Sequence, residues 1–488
     1  MLSACAAGPD YRRPEVAGAA AYANDTYKEL AGWKPVQPAD ALDRGMWWKL
    51  FDDPVLDDLQ QQVLASNQNL QQIEAQYRQA SALVAGARAS LWPSVSANLS
   101  ATRSARYSNA SGGIVSGGTV IGGGSGAAIS KAYQLPIAAT WEPDLWGGVR
   151  RQIESETASA QASAATLANT RLSLQATLAQ TYFQLRIVDV QKRLLDDTVD
   201  AYRKAEQLTM NQYKAGVAAR ADVIQAQTQL KSAQVQAMDL GIARAQYEHA
   251  LALLVGKTPA QFSLAPVTTF ALKPPPIPTG LPSQLLERRP DVAVAERQAA
   301  QANAQVGVAV AAWFPQLTLS ASGGYSSSVW SQLLEAPSRY WSIGPKLAET
   351  LFDGGARSAQ NAQARAAWDA AVANYRQVSL AAFQNVEDQI AALRILDQEA
   401  QTQDEAVALA GQSLKIATNQ YRAGLVSYLN VVTAQNTALS NERAAITLLG
   451  TRLNDSVGLI KALGGGWRTQ DVREANTGGT NADGSTGR

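Results

Sequence analysis

Cysteine and histidine are almost missing from this chain of 488 residues: there is one of each, with four methionines. One cysteine excludes a disulfide within the chain, and one histidine beside it excludes a Cys/His metal cluster. A Ser-His-Asp triad would have to use His249, which lies in the helical-looking segment ARAQYEHALALLVG, where packing or plain surface exposure accounts for it. There is no G-x-S-x-G, no phosphate loop and no dinucleotide fingerprint. No enzymatic chemistry is expected. Charge is scarce too, at 17% of residues and a net +1. Lys and Arg are scattered among Asp and Glu, so there is no basic footprint for a nucleic acid. No apolar run reaches about 18 residues, so no membrane-crossing helix is expected.

What is present is repetition. Residues 211–216 read NQYKAG and residues 419–424 read NQYRAG, 208 positions apart. The match continues at the same offset, with Asp222-Val223-Ile224-Gln225-Ala226-Gln227 facing Asn430-Val431-Val432-Thr433-Ala434-Gln435. Both phrases lie between Ala/Gln-rich segments of helical composition. Gly216 and Gly424 supply residues that accept positive φ, so each phrase is predicted to end one helix and bend into the next.

The rest of the chain falls into order around these bends. Leu2-Ser3-Ala4-Cys5 has the form of a bacterial lipobox, and Cys5 is expected to carry the lipid that anchors this end to a membrane. Residues 1–4 are too few to hold the basic and apolar parts of a signal peptide, so either the chain is trimmed or its start codon lies further upstream. Residues 6–53 form an irregular N-terminal segment containing Pro and Trp. A first repeat is expected over 54–255. It opens with a helix capped by Asp53 and Pro54 and running to about Leu91. A β-hairpin over 93–143 follows, in which Val95–Thr102 and Tyr133–Glu142 alternate apolar and polar residues. The hairpin is linked by a Gly/Ser-rich loop over 104–131. Two long helices come next, at about 149–215 and 221–255. A Pro-rich connector over 256–284 leads to a second repeat over 285–462, with a hairpin at 315–352 and helices at about 356–423 and 428–462. The tail, 463–488, reads as partly disordered.

Length decides the arrangement. A helix over 149–215 is about 100 Å long, and the shorter helices before and after it would stack end to end beside it. The strands would then lie at one end of a rod and the NQY bends at the other. The helices show no thick apolar core. Four strands with one apolar face cannot close a barrel, and open edges are not tolerated in a bilayer. Three copies would supply twelve strands and could close.

These features together resemble the TolC/OprM-type outer membrane factors, in the branch of NodT-like efflux lipoproteins. The motifs are LSAC, GPDYRRPEV, WWKLFDDPVLDDL, the strand openings LWP and WFP, DLWGG and LFDGG, and the paired NQY-[KR]-AG bends. The resemblance implies an α+β membrane protein: a trimeric 12-stranded β-barrel in the outer membrane, four strands per chain, continued by a long α-helical barrel with a mixed equatorial region. It implies a homotrimer in outer membrane lipid, partnered by a periplasmic adaptor and an inner-membrane pump of the resistance-nodulation-division type. No cofactor is implied beyond the covalent lipid on Cys5. By position, Tyr421, Leu429, Asn430, Thr433 and Asp222 would belong to the periplasmic gate. Gly216, Val217, Gly424 and Leu425 would form the adaptor-docking tips. Thr433 stands where relatives often carry Asp, so a carboxylate ring is not expected at that level; Leu429 would leave an apolar ring instead. A type I protein-secretion channel and a soluble periplasmic coiled-coil scaffold are the alternative readings.

Overall fold

The computed structural model describes residues 7–16, 46–107, 115–116, 119–120, 127–269, 273–277, 288–465 and 467. Cys5, most of the 6–53 segment, part of the connector, residues 285–287 and nearly all of the tail lie outside them. Two compact units emerge: Met1–Arg12, Ala80–Ser159 and Ala299–Ala370 form one, and Arg13–Gln79, Ala160–Gln298 and Ala371–Arg488 form the other. Among the described residues no helix is long and apolar enough to cross a membrane.

Helix α1 (Pro54–Ser66) starts where Asp53 predicts. The carboxylate accepts from the Val55 N–H at 2.9 Å and the Leu56 N–H at 3.2 Å, and Pro54 needs no partner there. The single helix expected to Leu91 is two. Asn67 turns extended (φ −67°, ψ 120°) and α2 (Gln68–Ala89) begins after it. The Asn67 side chain accepts from the Leu70 N–H at 3.0 Å and donates to the Leu254 carbonyl at 2.8 Å. One amide therefore satisfies the start of one helix and the end of another, which stabilises the break. The contact recurs further along: Arg289, 222 positions after Asn67, donates to the Ala462 carbonyl at 3.0 Å, 208 positions after Leu254.

The first unit holds the sheet. Strand β1 (Ser94–Ala97) and β2 (Ser100–Tyr107) both pair antiparallel with β5 (Ala127–Trp141). A small ladder of β3 (Val115–Ser116) with β4 (Thr119–Val120) lies between them in sequence. Strand β5 then pairs with β6 (Gln316–Ser327), and β6 with β7 (Arg339–Ala348). Four strands were expected, and β1 and β2 are one strand in register terms. Pro136 of β5 has no N–H to give, so opposite it only the Asn98 N–H to Pro136 carbonyl bond remains, at 3.1 Å. On the other side Gly324 opposes Pro136, where a Cβ would stand 2.1 Å from the Leu135 carbonyl oxygen. Strands β2 and β5 also run further into the Gly/Ser-rich segment than alternation suggests. Ser104 faces Ser130, hydroxyl to hydroxyl at 2.7 Å; the ladder is a backbone property and needs no apolar face there.

Register sorts the side chains. Val95 faces Ala139, Leu135 faces Tyr325, Trp141 faces Leu319 and Ala321 faces Ile343, so apolar residues share one face of β1, β5, β6 and β7, while toward the loop β2 sets Arg103 opposite Lys131 on that face. Ser96, Gln134, Ser322 and Ser342 share the other. Val95, Ile137, Trp341 and Ile343 are all exposed on the apolar face.

The second unit contains the long helices α3 (Gly148–Lys214), α4 (Arg220–Leu254), α6 (Ala356–Arg422) and α7 (Tyr428–Ala462) for most of their lengths; α5 (Pro290–Ala311) precedes β6. Their bounds agree with expectation to within a residue or two. The expectation of no thick apolar core is corrected here. Trp47, Trp48 and Phe51 are buried beside Leu56 and Leu59 of α1 and Leu178, Tyr182 and Phe183 of α3, with Phe383 of α6 and Leu453 of α7. Each such side chain contributes about 1.5–3 kcal/mol of transfer free energy. Two of the polar tips are paired, Trp48 Nε1 donating to Asp57 at 2.7 Å and the Tyr182 hydroxyl to Asp53 at 2.7 Å, whereas Trp47 Nε1 is buried without a hydrogen-bond partner among the described residues.

Candidate functional site

The two NQY phrases end α3 and α6 in the same way. Gly216 has φ +73° and Gly424 φ +76°. The Gly216 N–H donates to the Tyr213 carbonyl at 2.9 Å and the Val217 N–H to the Gln212 carbonyl at 2.8 Å. Gly424 to Tyr421 and Leu425 to Gln420, both 2.9 Å, repeat the pair. This is the Schellman arrangement, in which the glycine turns the chain and two otherwise unpaired helix carbonyls are satisfied. Lys214 and Arg422 place a cation in each last turn, where the helix dipole favours it.

The phrases also bind each other. The Tyr421 hydroxyl donates to Gln212 Oε1 at 2.7 Å, tying the second bend to the first. Tyr421 lies tilted against Tyr428, ring centroids 5.4 Å apart. Tyr428, Val431 and Val432 of α7 bury against Ala226 of α4. Further along the same helix pair, Gln229 donates to Asn436, and Arg443 to Gln236 at 2.9 Å. Burial pushes the Tyr428 hydroxyl up to about 12, with the neighbouring Tyr421, Tyr202 and Asp222 adding to it. Tyr421 is raised as well, first by burial and then by the Asp222 charge, against a hydrogen bond from Thr209.

The gate residues expected from sequence do not form one cluster. Tyr421 and half-buried Asp222 belong to the tyrosine cluster. Leu429, Asn430 and Thr433 lie on the outer face of α7, with Leu429 61% exposed and the Thr433 hydroxyl donating to the Leu429 carbonyl at 3.0 Å. The expected docking residues lie on the bends themselves. Val217 is 78% exposed and Leu425 75% exposed, held out at the position just after each glycine. Sequence reading missed Gln212 and Tyr428. Gln212 shows no chemistry of its own until its partner is seen. Tyr428 was legible, because 428, 431 and 432 have the three-and-four spacing of a buried helical stripe.

Residues 59–257 and 281–465 match the family model described as outer membrane efflux protein. The chain is 31% identical over 480 residues to the probable efflux pump outer membrane protein TtgC of Pseudomonas putida, covering 96% of this chain and 94% of that one. It is 32% identical over 434 residues to the pyoverdine export outer membrane protein OpmQ of Pseudomonas aeruginosa, covering 88% and 89%. Its fold is similar to that of the solved outer-membrane channel OprN, with a TM-score of 0.84, 30% identity and coverage of 95% and 100%. The family model, the relatives and the solved fold agree, and the chain belongs to the outer membrane efflux protein family.

Proposed function

We propose that three copies of this chain form the exit duct of a tripartite efflux system, a passive outer membrane channel joined to a periplasmic adaptor and an inner-membrane pump of the resistance-nodulation-division type. The observation that carries this reading is the sheet. Val95, Ile137, Trp341 and Ile343 leave its apolar face exposed on β1, β5 and β7, and among the described residues β1/β2 and β7 each leave one edge without a partner. Hydrocarbon excludes unpaired edges, so closure requires strands from further copies, and three copies supply twelve. The exported compounds are drugs or other small toxic molecules, in keeping with relatives named for antibiotic and toluene efflux.

In this reading the α7 face carrying Leu429, Asn430 and Thr433 points toward the threefold axis and narrows the duct by an apolar and hydroxyl ring. Tyr421 and Asp222 act behind it, in the contact between the two bends. Val217 and Leu425, raised on Gly216 and Gly424, offer apolar knobs to the adaptor. Adaptor contacts that favour separated bends would shift the population to the open state. A diacylglyceryl group on the Cys5 sulfur and an acyl chain on its amine anchor the N-terminus; two lipid signals are what stable anchoring takes. Cell fractionation and gel mobility test the assembly: the protein should sediment with the outer membrane and run as a trimer that heating converts to monomer. Recovery as a soluble periplasmic monomer would replace the duct with the scaffold reading.

A further inference from the structure

The two hairpins are basic although the chain as a whole is balanced. From Ser94 to Trp141 the sequence holds Arg103, Arg106 and Lys131 and no Asp or Glu; from Gln316 to Ala348 it holds Arg339, Lys346 and a single acid, Glu335. Arg103, Lys131 and Arg339 are exposed and stand on the apolar face of the sheet. Arg103 is directly opposite Lys131, where Cβ atoms are about 5 Å apart and like charges repel. None of the three pairs with a carboxylate among the described residues. The repeat supplies counterparts. Arg339 follows Lys131 by 208 positions, as the second NQY phrase follows the first, and Tyr325 follows Arg103 by 222, as Arg289 follows Asn67. In this second hairpin the Arg339 guanidinium lies over the Tyr325 ring, 5.9 Å from its centroid.

Strand geometry sets the level of these cations. Trp141 ends β5 where the sheet meets the helices, and its Nε1 donates to the Leu91 carbonyl at 3.0 Å. Lys131 lies ten residues before it, toward the loop. That length of strand rises about 34 Å, which at a barrel tilt of about 40° is about 26 Å of height. An outer-membrane barrel carries an apolar band about 25 Å tall. Trp141 and Lys131 therefore bracket the band, and the cations stand at headgroup level on the side away from the helices. Cations are costly against hydrocarbon, cost little at its boundary, and gain where the headgroups are anionic. Tyr133 and Trp330, ring centroids 5.4 Å apart, add an aromatic surface on the same side, and Trp330 is 57% exposed.

We propose that Arg103 with Lys131, and Arg339 on its Tyr325 platform, bind the phosphates of a phosphorylated glycolipid of the outer leaflet, of the lipid A class. The proposal rests on the duct reading above, which turns the helices to the periplasm and the loop end of the sheet to the cell surface. One phosphate between Arg103 and Lys131 converts their repulsion into charge-assisted contacts, bidentate from the guanidinium and single from the ammonium. Arg339 offers a second site with one cation. The flat faces of Tyr133 and Trp330 suit sugar rings, which a simple phospholipid lacks.

Native mass spectrometry of the purified trimer in detergent tests it, with bisphosphorylated lipid A, phosphatidylglycerol and inorganic phosphate as separate probes. The proteins compared are wild type, the double variant Arg103→Gln/Lys131→Gln, Arg339→Gln and Lys346→Gln, the last on the opposite face of the sheet. Wild type should hold lipid A several-fold more tightly than phosphatidylglycerol and should not retain inorganic phosphate. Arg339→Gln should weaken lipid A binding roughly five-fold and the double variant on the order of twenty-fold, while Lys346→Gln should bind as wild type does. A thermal melt adds a readout that a merely structural role would not reverse. Without lipid the double variant should melt at or above wild type, because the repulsion is gone; with lipid A, wild type should gain stability and the double variant should not. Unchanged lipid A binding in the double variant, an equal loss in Lys346→Gln, equal affinity for phosphatidylglycerol, or retention of inorganic phosphate would each overturn the proposal. A chain that purifies only as a monomer would instead remove the duct reading, and this proposal with it.

Discussion

Gly216 and Gly424 are required for their backbone conformation and not for space, since a Cβ at either would meet nothing within 4 Å. Alanine at Gly424 should therefore cost only the left-handed strain, about 1 kcal/mol. That predicts nearly unchanged global unfolding but hydrogen exchange at the Leu425 amide faster by roughly five-fold; a large drop in melting temperature would contradict it. Tyr428 makes a pH prediction. Its folded pKa of about 12 lies above the ordinary tyrosine value, so its stabilising contribution is complete below about pH 10 and lost as pH rises through about 12. Following tyrosinate absorbance and tip hydrogen exchange together should show the bends loosening in that window, and Tyr428→Phe should remove the step. Asp353 behaves in the opposite sense. The Arg357 side chain, then the Arg357 and Gly355 N–H groups, hold its carboxyl at about 2, so the stabilisation from this helix cap is complete above about pH 4 and is lost as pH falls through about 2. The NQY phrase was the most legible feature in the sequence, yet its central bond, Tyr421 to Gln212, was not, because it joins residues 209 apart whose types alone suggest nothing.

Helix and strand positions were readable because period and punctuation agree over long stretches: α3 and α6 each run 67 residues unbroken and end at a glycine. The break at Asn67 was not read, because α1 and α2 share one apolar periodicity. The repeat held the missing signal, since Pro290 disfavours helical backbone at Arg289, the position corresponding to Asn67. The core at Trp47 and Trp48 escaped notice for a related reason: it is assembled from short pieces of many elements far apart in the chain. In the sheet, Pro136 would ordinarily argue against an inner strand, and Gly324 beside it resolves the conflict. Gly324→Ala would place a methyl against the Leu135 carbonyl, so it should abolish the heat-resistant trimer. Gly344→Ala, where a Cβ meets nothing within 4 Å, should leave it intact. Equal behaviour of the two variants in a gel-shift assay would refute the packing argument.

On the scale of the whole molecule, a sheet apolar on one face and a pair of helical bends bonded through one hydroxyl divide the work. In the proposed duct the sheet would supply the membrane passage, and the bends a constriction that can be released without unfolding the helices. Leu429 and Thr433 do not touch the contact that holds the bends, whereas Tyr421 makes it. The two kinds of substitution should therefore act differently, Leu429→Ala by widening the ring and Tyr421→Ala by loosening the bends. Single-channel recording of the purified trimer in planar bilayers is the most direct test of a gated duct. Wild type should conduct weakly, Leu429→Ala and Tyr421→Ala should each raise conductance or open time, and the double variant should exceed both. Bilayers that stay silent with every variant would contradict the duct itself, and variants indistinguishable from a conducting wild type would remove these residues from its gate.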